Sequence, residues 1–236
     1  MTPAGATTAL VTGGTSETGV ECVRALRRDR AAVLFTGADR ERGDAVALEL
    51  GATFVECDHR DRAATDRALE RALARCDGAL DVLVTISDTR PRGSLEDTPE
   101  ADFRGLVELN LTAPFRIARA CLGALAAGAG GSIVLVGSDA GIRPAHEAAA
   151  YSVTSAGVIA LAELLAAEGA PLGVRANAVC PPALPELTPP SGRPVTGADV
   201  ATVVAWLASS ASADLTGATL RIDGAAGAAL LAYTRA

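Results

Sequence analysis

Residues 8–20 read TALVTGGTSETGV. Five residues with strand-like character run into Thr12-Gly13-Gly14-Thr15-Ser16-Glu17-Thr18-Gly19, and a helical pattern begins near Val20. Glycines at such a turn let backbone approach a pyrophosphate, and the helix start offers unpaired N–H groups and the positive end of its dipole. A glycine turn alone says little. It says more when it follows the first strand of a chain that alternates strands and helices.

Working outward, short apolar runs recur at 32–36, 52–57, 80–86, 132–137, 174–180 and 219–223, which with 8–12 makes seven strands. They are nearly continuous in Val, Ile, Leu and Ala, and longer helical patterns separate them. RAATDRALERALARC at 62–76 is one such pattern, with apolar residues at helical spacing and arginines between them. Strands apolar on both faces and joined by helices imply a parallel sheet covered on both sides. No linker, repeat or low-complexity tract divides the chain, so the expectation is one domain over residues 1–236: an α/β, Rossmann-like, doubly wound sheet of seven parallel strands. The proline-rich stretch VCPPALPELTPPSGRP at 179–194 reads as a loop at the carboxyl edge of a strand, where open α/β sheets bind ligands.

All 21 cations are arginine; the 236 residues contain no lysine. That excludes Schiff-base chemistry, a phosphate-loop lysine and any acid tuned by a lysine. A net charge of −7 and a pI near 4.9 argue against nucleic acid or an anionic membrane as partner. No signal-peptide pattern opens the chain and no stretch approaches a membrane span, so a cytoplasmic location is expected. Cys22, Cys57, Cys76, Cys121 and Cys180 form no CxxC and sit mostly in apolar segments. They read as buried thiols, and with only His59 and His146 beside them no metal site is expected.

At this point the chain resembles the short-chain dehydrogenase/reductase family, whose glycine motif is TGxxxGxG. The likeness runs through Asp58 after the third strand, DVLV at 81–84, Asn110 in ELNLTAPF, Ser138 in SIVLVGSDAG, Tyr151 in AAAYSVTSAG, VRANAVCP at 174–181 and ASSASADLTGATLRIDGA at 208–225. The resemblance implies that Ser138 binds the substrate oxygen, Tyr151 exchanges its proton and Asn110 holds a relay water. Gly13, Thr15, Ser16, Gly19 and Asp58 would hold NAD or NADP. It further implies a small-molecule substrate, a homodimer or homotetramer, and a substrate pocket bordered by His146, Pro182 and Leu184. His59 is read as capping the next helix or facing solvent.

Several positions depart from the family pattern. Four residues after Tyr151 the family has lysine; here Ser155 takes its place, one helical turn along the same face. A nearby cation lowers a tyrosine pKa and a hydroxyl does not, so Tyr151 is expected to stay protonated, a donor more than a base. Glu17 occupies the second motif glycine, and a carboxylate about 4–5 Å from a pyrophosphate opposes it by a few kcal/mol at intermediate dielectric. Asp88 stands where glycine normally lies beside the cofactor. After the second strand, Gly37-Ala38-Asp39-Arg40 lacks both an acid at the strand end for a ribose hydroxyl and the arginine common in NADP enzymes just after it. Dinucleotide binding is therefore expected to be weak or absent. The covering loop between Pro182 and Gly192 is short.

Three functions remain open from the sequence. The first is a working NAD(P)H-dependent ketoreductase. The second is an enzyme that keeps Tyr151 and Ser138 to polarise a carbonyl or hydroxyl but has impaired or lost redox chemistry, such as a cyclase, isomerase or dehydratase. The third is a non-catalytic ligand-binding or assembly protein. The second is the expectation carried forward.

Overall fold

The computed structural model describes residues 7–28, 32–86, 89–128, 130–183 and 189–227; Asp88 and Leu184 lie outside them. All seven expected strands form: β1 (Thr8–Thr12), β2 (Ala32–Gly37), β3 (Thr53–Glu56), β4 (Val82–Ile86), β5 (Ser132–Val136), β6 (Arg175–Cys180) and β7 (Thr219–Arg221). Every pairing is parallel, in the order β3-β2-β1-β4-β5-β6-β7. The helices are α1 (Glu17–Arg28), α2 (Arg40–Leu50), α3 (Arg62–Arg75), α4 (Glu100–Val107), α5 (Ala113–Ala127), α6 (Ala149–Gly169) and α7 (Gly197–Ala208).

Alternation along each strand assigns residues to two cores. Leu10, Leu34, Leu83, Ile133 and Leu135 pack under α3, α5 and α6, whereas Val11, Val33, Phe35, Val84 and Val134 pack under α1, α2 and α7. The sheet is thus buried on both faces, which is why its strands carry almost no polar residues in their centres. α6 and the turn after it (149–172) contain an 18-residue stretch of mean hydropathy 1.5, long and apolar enough by composition to cross a membrane, contrary to the sequence expectation. More than half of that stretch is buried inside the protein, so its apolarity is that of a core helix.

The β1–α1 turn is defined by contact. Gly13 has φ +73°, and a Cβ on Gly19 would stand only 2.2 Å from the Gly13 carbonyl oxygen. The first turn of α1 therefore lies directly on the end of β1. Ser16 locks it, donating its hydroxyl to the Gly13 carbonyl at 2.8 Å and accepting the Gly19 N–H at 3.0 Å.

The corner after β3 corrects the expectation for His59. The ring is buried rather than facing solvent, and Asp61, not His59, caps α3 by accepting the Ala64 N–H at 3.0 Å. His59 Nε2 lies 2.7 Å from Thr36 Oγ1, and Nδ1 lies 3.2 Å from Thr65 Oγ1. Burial, with the Arg116 charge as a lesser cause, lowers its pKa to about 4.

Two outcomes are expected. Gly19→Ala lowers stability by about 2 kcal/mol or more in urea unfolding, because the added methyl meets rigid backbone; Gly123→Ala, with open space around it, is neutral or raises stability by up to about 1 kcal/mol. His59 must be neutral in the folded state, so its contribution is complete above about pH 6.5 and is lost as pH falls toward 4. The loss across that window is on the order of 3 kcal/mol. A His59→Gln variant therefore has a flatter urea midpoint between pH 7 and 4 than the wild type.

Candidate active site

Strand order reverses between β1 and β4, so the crossovers leave in opposite directions and open a crevice at the carboxyl edge of the sheet. Two cavities occupy it, and Ile86 at the end of β4 belongs to the walls of both.

The first, about 290 Å³, lies over the ends of β1, β2 and β3. Gly13, Thr15, Ser16, Asp58 and Asn110 line it. Gly19, the remaining residue expected to hold the cofactor, is not on the wall; it is the contact that shapes the turn beneath. Asp58 accepts the Arg60 backbone N–H at 3.0 Å and pairs with its guanidinium at 3.3 Å. Asn110 reaches the cavity through a π-helical segment, Glu108–Thr112, between α4 and α5. The extra residue in that turn rotates Asn110 inward, where it is buried and its Nδ2 donates to the Thr89 carbonyl at 2.9 Å.

The second cavity, about 300 Å³, is framed by the starts of α1 and α7 and by the ends of β4, β5 and β6. Its wall carries Glu17, Arg90, Tyr151, Pro182 and Thr196. A Cβ on Gly197 would meet Thr18 Cα at 3.1 Å, so the first turns of α7 and α1 touch. The start of α7 is closed by its own residues: Thr196 and Asp199 form a reciprocal cap, and Arg193 grips Asp199 with two bonds of 2.7 Å. The Arg193 guanidinium holds the Asp199 carboxyl well below the usual carboxylate range. At the start of α1 the exposed carboxylate is Glu17.

The structure distributes the three expected catalytic residues. Tyr151 is on the second wall and Asn110 on the first. Ser138 is on neither; it is wholly buried, and its Oγ accepts the Ala140 N–H at 3.2 Å. Ser155, buried one turn after Tyr151, is also on neither wall. His146 is exposed and does not border the Tyr151 cavity, because the segment before α6 turns it outward. Pro182 does border it.

Sequence reading passed over two residues here. Asp139 accepts the Ala183 N–H at 2.7 Å while its own N–H donates to the Pro181 carbonyl at 2.9 Å, tying the turn after β5 to the loop after β6. Burial raises its pKa. Its signal was a lone acid beside Ser138 in an otherwise neutral stretch. Arg90 is the cation of the second wall, and an arginine in a loop gives no sequence signal of facing a cavity. All five cysteines are buried as expected, and burial pushes Cys22, Cys121 and Cys180 up to about 12, far from nucleophilic.

The short chain dehydrogenase family model matches residues 7–189. Among curated proteins, the chain is 30% identical over 239 residues to the trans-4-hydroxycyclohexanecarboxylate dehydrogenase of Sinomonas cyclohexanicum, covering 92% of this chain and 91% of that one. It is 31% identical to a 3-oxoacyl-[acyl-carrier-protein] reductase of Mycobacterium bovis, covering 92% of each. Among solved structures, a variant of actinorhodin polyketide ketoreductase with NADPH superposes with TM-score 0.88 at 27% identity, over 96% of this chain and 99% of that one. A motif turn built on Gly13 and Gly19, the sheet order around it and this match over most of the chain agree: the protein belongs to the short-chain dehydrogenase/reductase family.

Proposed function

We propose that this protein acts on the carbonyl or hydroxyl oxygen of a small molecule held in the Tyr151 cavity, with hydride exchange to a nicotinamide weakened or lost. The observation that carries this reading is the placement of Glu17: a carboxylate at the first position of α1, on the same wall system as Tyr151.

NAD(P) fits one half of the crevice. The first cavity matches an adenosine in size, with Asp58 and the glycine turn as its polar contacts. The diphosphate would pass the start of α1, where Ser16 Oγ already takes the Gly19 N–H and Glu17, an exposed carboxylate at the first helical position, repels a further anion, so the residues there do not fit a diphosphate. Ser155 in turn places a neutral hydroxyl, one turn from Tyr151, where the family has an ammonium. With a hydroxyl in place of that ammonium, Tyr151 serves as a hydrogen-bond donor to a substrate oxygen, which suits electrophilic activation better than alcohol oxidation.

Relatives named for hydroxycyclohexanecarboxylates suggest a cyclic oxo acid as substrate class, and Arg90 places positive charge on the wall of the Tyr151 cavity. The intact adenosine-side cavity and the likeness to a ketoreductase with NADPH favour a second reading, a working NAD(P)H-dependent ketoreductase.

Fluorescence titration separates the two. On the first reading NADPH and NADH bind no tighter than millimolar, and Glu17→Gly with Ser155→Lys tightens NADPH binding by about 100-fold or more, the size of a few kcal/mol. Micromolar binding to the wild type, with turnover of 4-oxocyclohexanecarboxylate, establishes the second instead.

A further inference from the structure

Glu17, Tyr151 and Arg90 line a single cavity of about 300 Å³ whose remaining wall, including Ile86, Val136 and Val200, is largely apolar. A space of that volume is on the order of 8 Å across, so a ligand of about ten heavy atoms that fills it lies against both residues. We propose that Glu17 is a catalytic base, removing a proton from the carbon next to the carbonyl whose oxygen Tyr151 holds. The inference rests on the oxygen-polarising reading above.

The two groups come from two sides of the crevice, Glu17 from the first turn of α1 and Tyr151 from the first turn of α6. Tyr151 is buried on α6, and the position one turn later is the neutral Ser155. A carboxylate base and a phenol donor across a small ketone are the two elements that enolisation needs. Glu17 is exposed, so water reaches it between turnovers.

The step balances without an electron acceptor. A Glu17 carboxylate oxygen takes the α-proton, and the C–H electron pair becomes the new C=C bond. The carbonyl π pair moves onto oxygen, whose charge the Tyr151 O–H hydrogen bond shares. Return of the proton to the same carbon gives exchange; return to a conjugated position gives an isomer. No hydride moves, so the chemistry requires neither the diphosphate site that Glu17 obstructs nor an ammonium beside Tyr151.

The test uses the full chain, 4-oxocyclohexanecarboxylate as probe, deuterium oxide as solvent and no nicotinamide. Proton NMR follows loss of the hydrogens next to the ketone, and saturation-transfer NMR follows binding of the probe. Wild type is expected to exchange them at least ~10-fold faster than buffer alone. Glu17→Gln is expected to lose ~100-fold of the enzymatic rate with binding retained, Glu17→Asp to keep a measurable part, and Tyr151→Phe to lose ~10-fold or more. Circular dichroism of Glu17→Gln confirms an unchanged fold, as expected for an exposed position. Exchange that persists in Glu17→Gln overturns the inference. Wild type that binds the probe yet exchanges it no faster than buffer also overturns it and leaves the oxygen-polarising reading standing. Failure of the probe to bind overturns both.

Discussion

There is no room for one methyl group between the first turn of α1 and the end of β1. Gly19 rests on the Gly13 carbonyl, and the remaining geometry of the crevice follows from that contact. It sets where α1 begins, and α7 is packed on that beginning through Gly197. The two first turns become one wall of a cavity whose other walls are the ends of β4, β5 and β6. The first position of α1 thereby lies on the crevice wall, and in this protein it is a glutamate.

Charge placement then distinguishes the two halves of the crevice. The half over β1, β2 and β3 keeps its glycine turn, its aspartate and its inward asparagine. The other half holds Glu17 and Arg90 around a phenol, while Asp199, the acid nearest the α7 start, is consumed by Arg193 and by the helix cap. Asp139 holds the loop after β6 in place from beneath, so Pro182 reaches the Tyr151 cavity on a segment fixed at its root. Each carboxylate has a distinct task because each has a distinct neighbour, which composition cannot reveal.

Much of this was legible beforehand. The seven strands fall within two residues of their expected limits, because continuous apolar runs between helical periods have few other solutions. The long helix at 62–76 and the buried thiols were legible for the same reason. His59 was misread because its environment is built from Thr36 and Thr65, residues on two other elements that no local pattern connects to it. The π-helical turn at Asn110 was invisible, since one inserted residue leaves the apolar spacing nearly intact. His146 was placed at the pocket by its position between two motifs, and the turn before α6 sends it outward.

The sequence by itself determined the topology and the chemical inventory: a parallel sheet, a glycine turn, a tyrosine, and no lysine anywhere in 236 residues. Those are properties of periodicity and residue type, which tertiary contacts cannot alter. Only the folded chain decided that Glu17 and Tyr151 share a cavity although 134 positions separate them, and that Ser138 is held in its own turn. Which side chains meet depends on how helices pack across the sheet, and that is settled by close contacts such as Gly19 on Gly13 and Gly197 on Thr18.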